Sequence, residues 1–261
     1  QVYAQPLVVT DVQIQGRGAT TLLIIATEHD SVYAYDTKDM AKGGGMDVPA
    51  KGSTPAVPAT PVWKRSFLGD SMLPCPNTPC VTVTSAEVHA PNITPEIGIT
   101  STPAIDNFRK IMYVVAMTKE AGVVMWKLHA LDLRTGAEMP GSPQRFAGYY
   151  DGTGTGNVVN PNPGPNEAPT HIPFSAINQL SRSGLVLTPS GNPSIPYEHL
   201  IIAFSSFNNN QPCHGWVFAV DANDITHLDL RNVWMSTPNS ASGDVWMSGG
   251  APAVDAENNV Y

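Results

Sequence analysis

One phrase occurs three times in this chain, and that repetition constrains the fold more than any other feature. It first reads Leu22-Leu23-Ile24-Ile25-Ala26-Thr27, then Asp30-Ser31-Val32-Tyr33-Ala34-Tyr35-Asp36. It returns as Ile111 to Met117 followed by Lys127-Leu128-His129-Ala130-Leu131-Asp132, and again as Leu200 to Ser205 followed by Gly215 to Asp221. Each copy is an apolar strand, a polar turn, and a second strand ending in Ala-x-Asp. Repetition of a multi-strand unit is the signature of a propeller or a solenoid. It also delivers equivalent turns to the same face of the molecule.

The composition suits an all-β chain. Only 14% of the 261 residues are charged, against about 25% in average soluble proteins. With 22 Gly and 24 Pro, this favours tight turns and ordered loops over disorder, which wants high charge and few apolar runs. The net charge of −8 leaves no basic footprint for nucleic acid. The longest apolar runs, such as Leu22 to Ala26, fall far short of the roughly 20 residues of a membrane span. Cys75 and Cys80 bracket a Pro-rich loop. They are either a small local disulfide, which suits an oxidising compartment, or two free thiols, and they are too few for a zinc site. Cys213 reads as a packed thiol.

A propeller blade is a four-stranded antiparallel sheet, and blades ring a central channel. On that template the first blade (1–70) has strands at Val2 to Val9, Thr21 to Thr27, Ser31 to Asp36 and Val62 to Phe67, with Trp63 as an aromatic anchor. The second (96–150) has Thr100 to Ile105, Ile111 to Met117, Trp126 to Leu133 and a last strand at Arg145 to Tyr149. The third (176–237) has Gly184 to Leu187, Leu200 to Ser205, Gly215 to Asp221 and Val233 to Ser236, where Trp234 matches Trp63. A fourth begins within 246–261. The spans 40–61, 71–95 and 151–173 are dense in Gly, Pro, Asn and Thr and read as long surface loops. Closure takes about four to eight blades. The expectation is therefore an incomplete ring, about three blades plus the start of a fourth, with the remaining blades elsewhere in a full-length chain.

The segment Ala130-Leu131-Asp132-Leu133-Arg134-Thr135-Gly136 resembles the Ala-x-Asp-x-x-Thr-Gly core of the pyrroloquinoline quinone (PQQ) propeller repeat. Ala34-Tyr35-Asp36 and Ala219-Val220-Asp221 keep Ala-x-Asp without Thr-Gly, and Trp63 and Trp234 stand where the repeat's Trp would be. The phrases Ala26 to Ala34, Pro95 to Pro103, His214 to Val217 and Trp246 to Gly250 are similar to a bacterial group of secreted or periplasmic PQQ-like proteins. The resemblance implies a seven- or eight-bladed quinoprotein-like propeller outside the cytoplasm, serving as a binding or scaffold module. Its alternative implication is a PQQ- and calcium-dependent dehydrogenase acting on an alcohol or sugar. Members that bind the quinone carry a disulfide between adjacent cysteines, a calcium held by Glu and Asn, and a catalytic Asp. This chain has no adjacent cysteine pair.

In four antiparallel strands taken in sequence, the turn between the second and third strands shares a face with the connection between blades. That face is the polar one. It brings Glu28, His29, Asp30, Thr118, Lys119, Glu120 and Asn208 to His214 from the turns, and Glu96, Thr100, Ser101, Arg182, Ser183, Trp246 and Ser248 from the connections. The candidate ligand-binding cluster at the channel mouth is Glu28, His29, Asp30, Glu96, Thr100, Lys119, Arg182, His214 and Trp246. Each has a plainer reading. The carboxylates and threonine cap strands, since buried polar groups must find partners. His29 and His214 are either site bases or packed hydrogen-bonding residues. Arg182 either holds a ligand carboxylate in a bidentate fork or pairs with Glu96 or Glu28. Trp246 either stacks on a planar ligand or wedges between blades. The run Asp151 to Gly156 lacks the strand, helix and Lys of a phosphate loop. No Ser-His-Asp order or nucleophile elbow assigns a catalytic residue, and no metal-ligand spacing appears.

Overall fold

Three antiparallel meanders organise the computed structural model, which describes residues 1–41, 60–69, 80–207, 212–224 and 232–261. The first sheet runs Leu7–Ile14, Gly18–Thr27, Ser31–Asp36, Trp63–Ser66, each strand beside the next in sequence. The second runs Ala104–Asp106, Ile111–Glu120, Val123–Asp132, Gln144–Arg145. The third runs Val186–Asn192, Ile195–Ser206, Trp216–Asp221, Val233–Met235, with Gln179–Leu180 added against the end of Ile195–Ser206. Near the end of the chain Val254 bridges Val260. The protein is all-β and its sheets are open. Among the described residues the one helix is Thr37–Ala41, and no helix is long and apolar enough to cross a membrane.

The alternation of the middle sheet explains how the three stack. Successive strand side chains point to opposite faces. Met112, Val114 and Ala116 pack with Leu22, Ile24, Ala26, Val32 and Ala34 of the first sheet. Tyr113, Val115 and Met117, one residue out of phase, pack with Leu200, Ile202, Phe204, Trp216 and Phe218 of the third. Ile111 to Thr118 are therefore all buried. A strand covered on both faces reads as a continuous apolar run rather than an alternating one, which is how the repeated phrase reads.

Trp63 fixes the first seam. Its indole N–H donates to the Leu133 carbonyl at 2.9 Å, and its ring lies on Gly136 of the second sheet's turn. A Cβ at Gly136 would meet Trp63 Cε3 at 2.5 Å, and Gly136 sits at φ +70°. Trp234, expected to match Trp63, is two residues out of register: Trp63 stands opposite Ala34 of its Ala-x-Asp, whereas Trp234 stands opposite Val217 and Asn232 takes the place opposite Ala219. Trp234 is 53% exposed. It lines an apolar groove of about 840 Å³ with Ile201, Val217, Ala219, Met247 and Tyr261.

The strand order of each repeat agrees with the sequence reading, and several boundaries are corrected. The first strand is Leu7–Ile14 rather than Val2 to Val9, because Pro6 has no N–H to give a ladder and pairing with the second strand starts at Leu7. The central hairpin runs on to Glu120 and turns at Ala121-Gly122, both at positive φ, so Thr118, Lys119 and Glu120 are strand rather than turn. The last strand of the second sheet is Gln144–Arg145; Tyr149–Asp151 pairs instead with Thr170–Pro173. The span 151–173 is thus partly sheet, Val158–Val159 also pairing with Thr170–Pro173, around the buried Ile172. Within 71–95, Val83–Thr84 pairs with Glu96–Ile97. Most of the loop 40–61 lies outside the described residues. Cys80 is disulfide-bonded, and Cys75 lies outside the described residues. Cys213 is a free buried thiol donating to Asp244 Oδ2 at 2.9 Å.

Candidate functional site

The connections that enter each sheet lie side by side at one end of the stack. Gln5 N donates to Thr102 Oγ1 at 3.0 Å, Leu185 N to the Thr102 carbonyl at 2.9 Å, and Gly184 N to the Gly250 carbonyl at 2.8 Å. The turn Glu28-His29-Asp30 closes against this row through Gly98. A Cβ at Gly98 would stand 2.4 Å from the Glu28 carbonyl oxygen and 2.8 Å from Asp30 Oδ1, so the chains approach this closely only at glycine. Asp30 itself sits at φ 44°, in the left-handed region that Asp tolerates better than most residues.

Glu28 is 1% exposed and Asp30 fully buried. Glu28 Oε2 accepts from Gly98 N at 2.8 Å and from Thr100 Oγ1 at 3.0 Å. Its Oε1 and both carboxyl oxygens of Asp30 have no hydrogen-bond partner. Burial pushes Glu28 up to about 7, only partly offset by those two hydrogen bonds and the charge of Arg182. Burial raises Asp30 well above the usual carboxylate range, and the charges of Glu28 and Glu96 push it further. Desolvation penalises the charged form of an acid, so the pair favours neutral carboxyls. The hydroxyls of Ser101 and Ser181, each next in sequence to a residue of this group, are buried and equally unpartnered.

Arg182 lies near enough to Glu28 for its charge to act on that carboxyl. Its guanidinium lies 5.8 Å from the ring centroid of Tyr3, and its Nη1 is buried with no hydrogen-bond partner. Among the described residues it forms no ion pair. Glu96, one of the two acids expected to pair with it, instead contacts His29 Nδ1 at 2.9 Å. Arg182 borders a pocket of about 140 Å³ with Tyr3, Asn92, Ile93, Leu180, Phe207 and Trp246.

The sequence cluster therefore divides. Glu28, Asp30 and Thr100 gather around Gly98, and Arg182 reaches Glu28 through its charge. Glu96 and the exposed His29 are at the edge, and Trp246 lines the same pocket as Arg182. Lys119 is turned to Glu87 at 2.5 Å. His214 is a packed residue, its ring nitrogens engaged with Thr237 Oγ1 at 2.9 Å and the Thr155 carbonyl at 2.8 Å. Asn208 to Gln211 lie outside the described residues. Sequence reasoning missed Gly98 and Tyr3. Tyr3 carried a signal, since it precedes Pro6 by the same spacing that separates Thr100 from Pro103.

No protein-family model, curated protein or solved structure matches the chain. PQQ and calcium, implied by the resemblance, do not fit the pocket at Arg182. The pocket at Arg182, about 140 Å³, is below the roughly 300–1,000 Å³ of a drug-sized ligand site, and a quinone bearing three carboxylates is of that larger class. Among the described residues no group of three or more His, Cys, Asp and Glu is placed to hold a metal ion, whereas calcium takes roughly six to eight oxygens.

Proposed function

We propose that the stacked sheets are blades of an incomplete β-propeller of the PQQ-like repeat group, working outside the cytoplasm as a binding module without redox catalysis. The ligand seat is the pocket at Arg182. One observation carries this reading: among the described residues, six of the twelve buried side-chain polar atoms without partners, from Glu28, Asp30, Ser101, Ser181 and Arg182, belong to the end where the connections of successive sheets meet. Proteins satisfy most such atoms internally, and Arg182, one of these residues, borders a pocket, which is a reason to expect a bound molecule there. The disulfide at Cys80 supports an oxidising compartment. A dehydrogenase reading draws no support from the donor set or the pocket volume.

The test titrates the full 261-residue chain with a panel of small carboxylates, alcohols and amines, reading the thermal midpoint and amide chemical shifts. At least one compound should raise the midpoint of the native chain and shift residues around Arg182, with the effect lost in Trp246→Ala. A panel with no binder overturns the proposal. Incubation with PQQ and calcium should give no dye reduction; reduction above the level without protein would reinstate the dehydrogenase.

A further inference from the structure

We infer that the pocket takes a small organic monocarboxylate with an apolar body about the size of one six-membered ring. This rests on the reading of that pocket as a ligand seat and adds the chemistry of what sits there. Arg182 is half-buried, borders the pocket and makes no hydrogen bond or ion pair among the described residues. Its Nη1 is packed beside Gly249, which leaves the rest of the fork to the pocket, and an unpaired guanidinium shielded from water costs more than a neutral donor would. The internal acids do not relieve it. Glu96 is held by His29, and Glu28 directs Oε2 to Gly98 and Thr100. A carboxylate from outside matches the donor fork of a guanidinium in charge and shape.

The rest of the wall sets the body of the ligand. Ile93, Leu180, Phe207 and the rings of Tyr3 and Trp246 face the pocket, and Leu180 and Phe207 are nearly fully buried. These surfaces offer apolar contact and suit a ring or short branched chain better than a bare oxyanion. The volume of about 140 Å³ sets the upper size, since a cavity of roughly 150 Å³ lined by such side chains accommodates benzene. Trp246 is 37% exposed, which leaves the pocket reachable from solvent.

Benzoate, benzyl alcohol, acetate and inorganic phosphate are the probes, measured by calorimetry and amide chemical shifts on the full chain at about pH 6. Benzoate should bind at least about ten-fold more tightly than benzyl alcohol, the margin of one charge-assisted hydrogen bond. Acetate and phosphate, which forgo the apolar wall, should bind more weakly than benzoate. Arg182→Gln should lose that ten-fold for benzoate and keep benzyl alcohol unchanged. Benzyl alcohol or phosphate binding as well as benzoate, or an Arg182→Gln chain that keeps its benzoate affinity, overturns the carboxylate assignment while leaving the ligand seat standing. If no probe and no panel compound binds, both readings fall. Should Arg182→Gln fail to fold, the benzoate-to-benzyl-alcohol ratio on the native chain decides alone.

Discussion

The first and second sheets are joined at two opposite ends, and the two joints are built differently. At one end Trp63 crosses the seam, gives its N–H to Leu133 and covers Gly136 with its ring. At the other end Glu28 crosses to Gly98 and Thr100, yet it leaves one oxygen unpaired, and Asp30 beside it leaves two. The Trp63 joint is complete within the protein. The Glu28 joint spends polar capacity that no internal neighbour uses. Architecture explains the first, whereas architecture alone is a costly explanation of the second, because partly satisfied buried polar groups destabilise a fold.

The largest effect that separates the joints is expected at Trp63. Trp63→Ala should lower stability by about 3–5 kcal/mol, the usual cost of deleting a buried large aromatic, read as a shift in urea midpoint. A loss below about 1 kcal/mol would mean that the seam does not depend on this side chain.

Glu28→Gln should act in the opposite direction above neutral pH. The folded pKa of Glu28, about 7, lies above its ordinary 4.5, so the folded state holds this proton more tightly than the unfolded state. Its contribution to stability is full below about pH 4.5 and is lost as pH rises through about 7, amounting to about 3 kcal/mol. Asp30 works in the same direction. The Gln variant keeps an oxygen for Gly98 and Thr100 and has nothing to ionise. It should lack that decline and be the more stable chain at about pH 8. Denaturant midpoints at about pH 5 and pH 8 check this; equal slopes in the two chains would remove the contrast between the joints.

Gly136→Ala is expected to cost about 2 kcal/mol, the scale of overpacking, because the added Cβ meets the Trp63 ring and the backbone is left-handed. In the Trp63→Ala background the share due to the ring should disappear while the strain of the left-handed backbone stays, which a double-mutant cycle separates. The smallest effect belongs to Trp234→Ala. That indole is 53% exposed, so the loss should stay near 0.5 kcal/mol, the range of ordinary surface changes.

Trp63 and Trp234 also show what the sequence could convey. The meander order of all three sheets followed from the apolar runs and the Ala-x-Asp endings, but the match of the two tryptophans did not hold: Trp63 pairs with Ala34, and Trp234 pairs with Val217, two residues from the equivalent position. Long central strands buried on both faces announce themselves because nearly every residue is apolar, as in Ile111 to Met117. Whether a repeat tryptophan is covered depends on what packs beside it, which no local pattern states. The polar end was legible as a list of residues, while its internal division was not. Glu28 and Asp30 meet the next sheet's connection through a close approach at Gly98, a residue with no side chain to signal it. Lys119 was drawn into the cluster because the turn was placed too early. Ala121-Gly122 is a short turn whose positive φ at Ala121 leaves no mark in the residue type.

The double covering of the middle sheet has a kinetic consequence. In a stack where each sheet touches only its neighbours, stability behaves as a one-dimensional sum of units and interfaces. The second sheet draws on two interfaces, whereas the first and third each have one interface among these three. Local opening should therefore work inward from the outer sheets. The amides of Ile111 to Thr118 would be the last to exchange with deuterated solvent. They belong to a strand paired along its length with Val123–Asp132 and sealed above and below, so they open only when the stack as a whole comes apart.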